Sequence, residues 1–403
     1  MLNLSRLLAE SGSDSMDDSL RYSRESRHSS SGTGRNRGPV VVWNITRACN
    51  LSCRHCYAGE KSSPHPEEIS TGEALKVIED LAQLNVPVLL FSGGEPLMRD
   101  DLEKLIERAR RLGIRVALSS NGTLLTEQRA RRLECLDLSY IGISIDGGPE
   151  LHNDFRRDNS AFERSIEGLR RCREIGQKVG LRFTMVEENR RALSDIFRLM
   201  EREDIPRLCL YHLVPQGRGI NFRDRMMAAE EKRVLLDEII ERADDLADRS
   251  DRWQILTVAN QADGVYLYLK LKESGDPRAE KIYRYLARSG GNRSGQAIAC
   301  IDWQGKVHPD QFSFSHNVGD LKKRSFIDIW RDSPVELLQK LRKREEYIKG
   351  RCSRCRWFEI CGGSMRSRAE ALTGSYWAAD PGCYLKEKEI TADSAEKIGR
   401  RSI

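Results

Sequence analysis

Three cysteines stand close together in the first part of the chain, at Cys49, Cys53 and Cys56. They follow a β-branched apolar run over 40–45, which predicts a buried strand. Thiolates select zinc, copper or iron–sulfur clusters, and a structural zinc site needs four ligands. Three cysteines holding a [4Fe–4S] cluster would leave one iron open to a cofactor or substrate. The alternative is a zinc loop in which His55 supplies the fourth ligand.

A second cysteine set lies near the C-terminus, where four thiolates suffice for a closed site that holds either a cluster or structural zinc. Its members are Cys352, Cys355, Cys361 and Cys383. The total of eleven cysteines is odd. The N-terminus also lacks the long apolar segment of a secretory signal, so we expect a cytoplasmic protein without disulfides. Of the other four, Cys135, Cys172 and Cys209 are interpreted as small core residues, and Cys300 stands alone.

These groups need elements that position them, and the pattern of the chain supplies such elements. Strands are predicted over 40–45, 86–91, 114–118, 140–145, 181–186 and 208–214, and helices over 70–82, 102–112, 126–133, 162–175 and 193–200. Strand and helix alternate six times, as a parallel sheet requires. The sheet is either an open doubly wound sheet or a partial barrel. In both architectures the site lies at the C-terminal ends of the strands.

Polar or glycine-rich segments end three of these strands. They contain Gly93, Gly94, Glu95 and Pro96, then Ser120 and Asn121, and then Ser144 and Asp146. Glycine permits close approach of the backbone to a ligand, and a carboxylate suits an ammonium group. We therefore expect these segments to meet the three-cysteine loop on one rim of the sheet.

Composition sets outer limits on the fold and function. The chain has 403 residues, of which 39% are apolar and 32% charged, with a net charge of +6. These values predict a globular protein of two or three domains. There is no long uncharged apolar run and no block of like charges, so neither a membrane span nor a nucleic-acid arm is expected. The predicted units are a disordered tail (1–38), the strand–helix core (39–220), a mostly helical connector (221–296), a cysteine-rich domain (297–395) and a short tail (396–403).

The cysteine triplet, the Gly-Gly-Glu-Pro turn and the two later polar strand ends resemble, in this order, the radical SAM superfamily. The resemblance implies an α/β fold, a partial (β/α)6 TIM-like barrel. It also implies that Gly93, Gly94, Glu95, Pro96, Ser120, Asn121, Ser144 and Asp146 bind S-adenosylmethionine. The reduced cluster would pass an electron to this cofactor and release a 5'-deoxyadenosyl radical, which abstracts a hydrogen atom from the substrate. An external one-electron donor, such as a flavodoxin or ferredoxin, is then required.

The second cysteine set resembles the SPASM extension of the same superfamily, from which it departs at two positions. Met365 stands where that pattern has a cysteine, and Asp310 replaces the expected partner of Cys300. We therefore expect two [4Fe–4S] clusters rather than three, held by Cys49, Cys53 and Cys56 and by Cys352, Cys355, Cys361 and Cys383. Cys300 remains an alternative to Cys383 as a ligand.

Less specific segments of the chain resemble the NirJ group of haem d1 biosynthesis. They lie at 211–219, 307–310, 355–364 and 366–384. That resemblance implies an iron tetrapyrrole substrate, 12,18-didecarboxysiroheme, from which two propionate side chains are removed. His212, Arg218 and Asp310 are the predicted catalytic residues. Arg218, Arg366 and Arg368 are candidates for the carboxylate edge of the macrocycle, and His308 and His316 are further candidates for iron ligation or proton transfer.

Three other functions remain open at this point. A haem-pathway relative would oxidatively decarboxylate propionates on an iron porphyrin. A peptide-modifying SPASM enzyme would need a peptide-clasping domain, for which the N-terminal 38 residues are too short. A zinc module that binds nucleic acid would cleave no S-adenosylmethionine and would bind with a steep salt dependence.

Overall fold

A single mixed sheet forms the frame of the protein. The computed structural model describes residues 1–9, 38–59, 61–331 and 334–391. In these residues the strands are β1 (Leu2–Asn3), β2 (Val40–Asn44), β3 (Val88–Ser92), β4 (Arg115–Ser120), β5 (Tyr140–Ser144), β6 (Val179–Met185), β7 (Arg207–His212), β8 (Gln254–Val258), β9 (Ile298–Ile301), β10 (Lys306–His308) and β11 (Gly319–Asp320). Strands β2 to β8 are parallel neighbours in chain order. Strand β9 lies parallel to β2 on the other side, and β1, β10 and β11 are antiparallel additions.

The helices are α1 (Leu4–Leu8), α2 (Thr71–Gln83), α3 (Leu102–Arg111), α4 (Glu127–Cys135), α5 (Pro149–Arg156), α6 (Ala161–Glu174), α7 (Leu193–Arg202), α8 (Ala229–Arg249), α9 (Ala262–Glu273), α10 (Arg278–Ser289), α11 (Phe326–Trp330), α12 (Glu336–Arg342), α13 (Phe358–Cys361), α14 (Arg366–Thr373) and α15 (Glu387–Ile390). Short 3-10 turns cover Pro96–Met98, Glu187–Ala192, Gly217–Arg225, Arg344–Glu346 and Gly350–Arg354. None of the helices in this part of the chain combines the length and apolar character that a bilayer span requires.

Local sequence explains the alternation of strands and helices. Helix α2 begins at a capping box, in which Ser70 accepts from the Glu73 amide and the Glu73 carboxylate accepts from the Ser70 amide. This arrangement satisfies two amides that a helix start leaves open. Helix α3 buries one stripe against the sheet, formed by Leu102, Leu105 and Ile106 among others. The predicted strand–helix order from β2 to β7 is confirmed.

The sheet curves around an internal cavity of about 270 Å³. Side chains from β2, β5, β7 and β9 line this cavity together, for example Val40, Tyr140, Arg207 and Ile298. Such distant strands of a flat sheet would not face one space, so the sheet has the form of an open barrel. The three-cysteine loop lies at one end of the cavity, beyond the C-terminal ends of the strands.

Two parts of the chain differ from expectation. The predicted helical connector contains α8, α9 and α10, but it also contributes β8, which pairs with β7. Residues 1–9, expected to belong to a disordered tail, form β1 on the edge of β8 and the helix α1. Their order has a physical cause, because Leu4, Leu7 and Leu8 are buried in the main core. The rest of the predicted tail, 10–37, and the predicted C-terminal tail at 396–403 lie outside the described residues.

Candidate active site

The loop that follows β2 places its three thiols at the mouth of the cavity. Cys49 and Cys53 are buried and Cys56 is half-buried, and all three line the cavity. Arg218 fixes this loop from the side. Its Nε donates to the Cys53 carbonyl at 2.8 Å, and its amide donates to the Cys56 carbonyl at 2.9 Å. Arg218 was predicted to be catalytic, yet its described contacts are with the cysteine loop, and it is absent from the residues that line the cavity.

The Gly-Gly turn after β3 is fastened directly beneath this loop. The Gly94 amide donates to the Thr46 carbonyl at 2.8 Å, and the Glu95 amide donates to the Ala48 carbonyl at 2.7 Å. A Cβ on Gly94 would lie 2.2 Å from the Ala48 oxygen, so no larger residue fits there. Both glycines line the cavity. The turn therefore sets the position of the chain that enters the cysteine loop.

The Glu95 carboxylate is fully buried and joins the turn to the end of β4. It accepts from the Ser120 hydroxyl at 2.8 Å, the Asn121 amide at 2.8 Å and the Leu97 amide at 3.2 Å. Burial raises the pKa of Glu95 to about 7, against the opposing effect of these donors. Ser120 and Asn121 line the cavity, and the Asn121 side chain donates to Asn50 within the cysteine loop at 3.0 Å.

Ser144 lines the cavity at the end of β5, whereas Asp146 does not and lies behind the cysteine loop. The Asp146 carboxylate forms an ion pair with Arg156 at 2.5 Å, and Arg156 Nη1 donates to Cys53 Sγ at 3.5 Å. Burial would raise the pKa of Asp146, but Arg156 and His55 outweigh it and lower the pKa. The structure thus links Asp146 to Cys53 through Arg156, an arginine that sequence reasoning missed.

His55 faces Asp146 rather than the cysteines. Its Nε2 lies 3.5 Å from Asp146 Oδ2, and burial lowers the pKa of His55 to about 4. In the described residues, no three His, Cys, Asp or Glu side chains converge closely enough to share one metal ion. The donor set of three thiols fits a [4Fe–4S] cluster, which three cysteines can hold while one iron stays open.

The four C-terminal thiols form a second group, remote from the first in sequence. Burial raises the pKa of Cys361 well above its usual range, and its neighbours Cys383, Cys352 and Cys355 act in the same direction. The charged groups that act on the Cys300 thiol are Asp302 and Asp310. This thiol is fully buried beside β2 and accepts from Asn44 Nδ2 at 3.4 Å. The thiols of the second set thus affect one another electrostatically, and a donor set of four cysteines fits a second [4Fe–4S] cluster.

The remaining predicted site residues lie in different places in the structure. His212 lines the cavity at the end of β7, and its Nε2 lies 2.9 Å from Asp263 Oδ2. Asp310 is buried outside the residues that line the cavity, and its Oδ1 accepts from Phe312 and Ser313 in a turn. His308 and His316 are paired with Asp302 and Glu370, respectively, and neither lines the cavity.

Arg366 and Arg368 were candidates for the edge of the macrocycle, and this interpretation is wrong. Both are fully buried and serve the backbone and Asp380. Arg366 donates to the carbonyls of Gly363, Tyr376 and Ala378. Arg368 donates to both oxygens of Asp380. Burial opposes ionisation of this carboxyl, but Arg368 lowers the pKa of Asp380 to about 2, so Asp380 stays ionised. Cys135 was also misjudged, since it is exposed, while Cys172 is buried and Cys209 lines the cavity.

The charged side chains that line the cavity are of one sign. Among the described residues that line it there are three arginines, Arg156, Arg182 and Arg207, and no aspartate or glutamate. Its walls also carry apolar side chains such as Val42 and Leu90. The available signal in the sequence was an arginine at an inward position of an otherwise apolar strand, as at Arg182. A cavity of this kind suits an apolar ligand that bears anionic groups.

An open three-cysteine loop above a barrel cavity, followed by a separate four-cysteine set, is the arrangement of radical SAM enzymes with an auxiliary cluster domain. Residues 43–200 match the family model of the Radical SAM superfamily, and residues 293–356 match SPASM, an iron–sulfur cluster-binding domain. The structure of Streptococcus suis SuiB bound to precursor peptide SuiA has the same fold, with a TM-score of 0.67 at 16% identity over 87% of this chain and 76% of SuiB. Native anSMEcpe with bound AdoMet and a peptide gives a TM-score of 0.66 at 18% identity, over 88% and 96% of the two chains. The predicted fold is confirmed.

Relatives of similar sequence narrow the class of radical SAM enzyme to which the chain belongs. The chain is 43% identical to the Fe-coproporphyrin III synthase of Methanosarcina barkeri over 97% of this chain and 99% of the relative. It is 41% identical to the pre-heme d1 synthase of Dinoroseobacter shibae, over 89% and 90% of the two chains. It is also 33% identical to the AdoMet-dependent heme synthase of Oleidesulfovibrio alaskensis, over 88% and 89%. The chain belongs to the haem-pathway group of radical SAM enzymes, with S-adenosylmethionine and [4Fe–4S] clusters as cofactors.

Proposed function

We propose that this enzyme removes carboxylate-bearing side chains from an iron tetrapyrrole. The observation that carries the proposal is the charge of the cavity, which combines three arginines with no carboxylate among the described residues that line it. A tetrapyrrole of this kind has an apolar ring and a rim of carboxylates, which arginine binds with two parallel hydrogen bonds. The names of the relatives at 43% and 41% identity support the same class of substrate.

Two products are candidates. Formation of Fe-coproporphyrin III is favoured by the relative of that name, which matches nearly the whole of both chains. The haem d1 reaction, removal of two propionates from 12,18-didecarboxysiroheme, is favoured by the segments at 211–219 and 355–364 and by the pre-heme d1 synthase at 41% identity. We take Fe-coproporphyrin III formation as the better supported reaction and the d1 reaction as the second candidate.

The residues of this chain divide the work. Cys49, Cys53 and Cys56 would hold the catalytic cluster, which together with bound S-adenosylmethionine would supply the radical chemistry for removing a hydrogen atom from a side chain. The cavity orients the substrate and excludes water from the reacting carbon. His212 lies at the cavity wall with its ring fixed by Asp263, where it is placed to hold or move a proton at Nδ1.

The test is anaerobic incubation of the reconstituted enzyme with 12,18-didecarboxysiroheme, S-adenosylmethionine and a reductant. Mass spectrometry reports which side chains are lost. Visible absorption separates a fully conjugated porphyrin, expected for Fe-coproporphyrin III, from the reduced ring of a d1-type product. The control is the variant in which Cys49, Cys53 and Cys56 are all alanine, which should form neither product nor 5'-deoxyadenosine. Active cofactor cleavage beside unchanged tetrapyrrole would refute the proposal.

A further inference from the structure

One arginine inside the barrel carries a positive charge but has no acidic partner among the described residues. Arg182 lies in the middle of β6 and lines the cavity, one inward position before Thr184. Its guanidinium carbon lies 4.8 Å from the ring centroid of Tyr211. No salt bridge or hydrogen bond joins its guanidinium to any residue that the structure describes. The ionisable groups around it are the phenols of Tyr211, Tyr140 and Tyr57 and the thiol of Cys209.

The other arginines of the cavity differ from Arg182 in this respect. Arg156 is paired with Asp146 at 2.5 Å. Arg207 donates through Nε to Gln254 Oε1 at 2.8 Å. Arg182 is half-buried, and a guanidinium that lines a cavity without a hydrogen-bond partner among the described residues is open to an anion bound beside it. Arg182 is therefore the arginine of the cavity that is placed to receive an anionic group from a ligand.

A second polar group of the same region also lacks a partner. The Tyr140 side chain is 8% exposed, and its hydroxyl has no hydrogen-bond partner among the described residues. Burial raises the pKa of Tyr140 well above its usual range, so the hydroxyl stays protonated and is a donor. Buried polar groups in proteins are nearly always satisfied, so an orphaned hydroxyl that lines a cavity indicates a ligand atom.

Two glycines give these side chains their room. A Cβ on Gly142 in β5 would lie 2.7 Å from the Cδ of Arg182. A Cβ on Gly180 in β6 would lie 2.5 Å from the Tyr140 hydroxyl. Glycine inside a strand weakens it, and such positions often mark a close approach. Here each glycine makes space for one of the two unpartnered donors.

We propose that Arg182 and Tyr140 form a subsite that binds one carboxylate of the substrate inside the barrel. This inference rests on the proposed function, which supplies a substrate with several carboxylates. The guanidinium provides two parallel donors and the phenol a third, which matches the acceptors of a single carboxylate. One side chain of the macrocycle would enter the barrel while the ring stays nearer the cysteine loop. The subsite would thereby select which edge of the ring meets the radical.

The test compares two probes on the reconstituted protein. Iron coproporphyrin III carries free carboxylates, and its tetramethyl ester keeps the ring but not the charge. Binding is followed by the shift of the Soret band. We expect Arg182→Met to weaken binding of the acid at least tenfold and to leave binding of the ester unchanged. Arg182→Lys should give an intermediate loss, because it keeps the charge without the planar fork. Tyr140→Phe should weaken binding of the acid several-fold.

The matched control is Arg284→Met, the same replacement at an exposed position of α10. Iron content and thermal midpoint should stay at the level of the unmodified protein in every variant, and Arg284→Met should also keep the rate of 5'-deoxyadenosine release without substrate. Equal weakening of acid and ester by Arg182→Met would overturn the subsite, and so would a loss of cofactor cleavage with tetrapyrrole binding intact. Failure of the unmodified protein to bind either probe would instead overturn the proposed function, and the subsite with it.

Discussion

The ring of His212 and the carboxylate of Asp263 are held together at 2.9 Å, and the same carboxylate accepts from the hydroxyl of Tyr384 at 2.7 Å. His212 ends a strand of the barrel, whereas Tyr384 directly follows Cys383 of the second cysteine set. Burial would raise the pKa of Asp263, but His212 and Tyr384 outweigh it and lower the pKa. An ionised, buried aspartate thus joins the cavity wall to the auxiliary cysteines.

Replacement of Asp263 by Asn should impair turnover through His212. The amide would no longer fix the ring in one orientation, and loss of such supporting groups typically costs roughly 10- to 100-fold in activity. We expect kcat for the tetrapyrrole to fall by that factor while KM and substrate-free cofactor cleavage stay unchanged. The control is Asp237→Asn, where the carboxylate meets Tyr266 and Lys270 on the outer side of α8. A rise in KM alone would contradict the assignment.

Iron analysis tests the division of the cysteines. We expect about eight irons per chain after anaerobic reconstitution and about four when Cys49, Cys53 and Cys56 are alanine. Cys300→Ala should keep about eight, because its thiol accepts a hydrogen bond from Asn44 and the charged groups that act on it are Asp302 and Asp310. Cys172→Ala, at another buried thiol, is the matched control. Four irons in the unmodified protein would refute two clusters, and a loss of iron in Cys300→Ala would make that residue a ligand.

The buried Glu95 should make stability fall as pH rises. Burial raises its pKa from 4.5 to about 7, so the folded protein binds this proton more tightly than the unfolded chain does. The stabilisation is complete below pH 4.5 and is lost between pH 4.5 and 7, by on the order of 3 kcal/mol. Urea unfolding of Glu95→Gln should lack this contribution to the slope. Binding of an ammonium group beside the carboxylate would lower the pKa, so saturating S-adenosylmethionine should reduce the slope. Identical slopes in the variant and the unmodified protein would contradict this account.

The first nine residues should contribute measurably to stability. Leu7 is 2% exposed and belongs to the same core as α8. Leu7→Ala should lower the free energy of unfolding by about 2–5 kcal/mol, through lost burial and the cavity left behind. Val234→Ala on α8 is the control, because this valine is 67% exposed and should change stability by no more than about 0.5 kcal/mol. Equal urea midpoints for both variants would show that residues 1–9 add little.

The sequence allowed the strand–helix alternation and both cysteine sets to be predicted, because periodicity and ligand spacing are local properties, whereas the barrel was implied by the resemblance to the radical SAM superfamily. Strand β8 was not predicted from the sequence. It is a five-residue strand between two helices, and its extended conformation depends on pairing with the neighbouring strand β7. Sequence reasoning also misjudged Arg366 and Arg368, since arginine is usually exposed and its burial depends on acceptors supplied by distant chain. Arg156 and Asp263 were missed for a similar reason. Their importance comes from contacts with Cys53 and His212, which spacing along the chain does not reveal.

The buried pair of Arg368 and Asp380 has a mechanical consequence. Arg368 also donates to the Ala259 carbonyl at 2.9 Å and to the Leu213 carbonyl at 3.4 Å, just beyond the ends of β8 and β7. These buried hydrogen bonds hold helix α14 against the barrel rim at a point that solvent does not reach. The buried pair thus holds the segment between Cys361 and Cys383 against the strand ends at the mouth of the barrel. Clusters held by the two cysteine sets would therefore keep their separation for as long as this buried contact is intact.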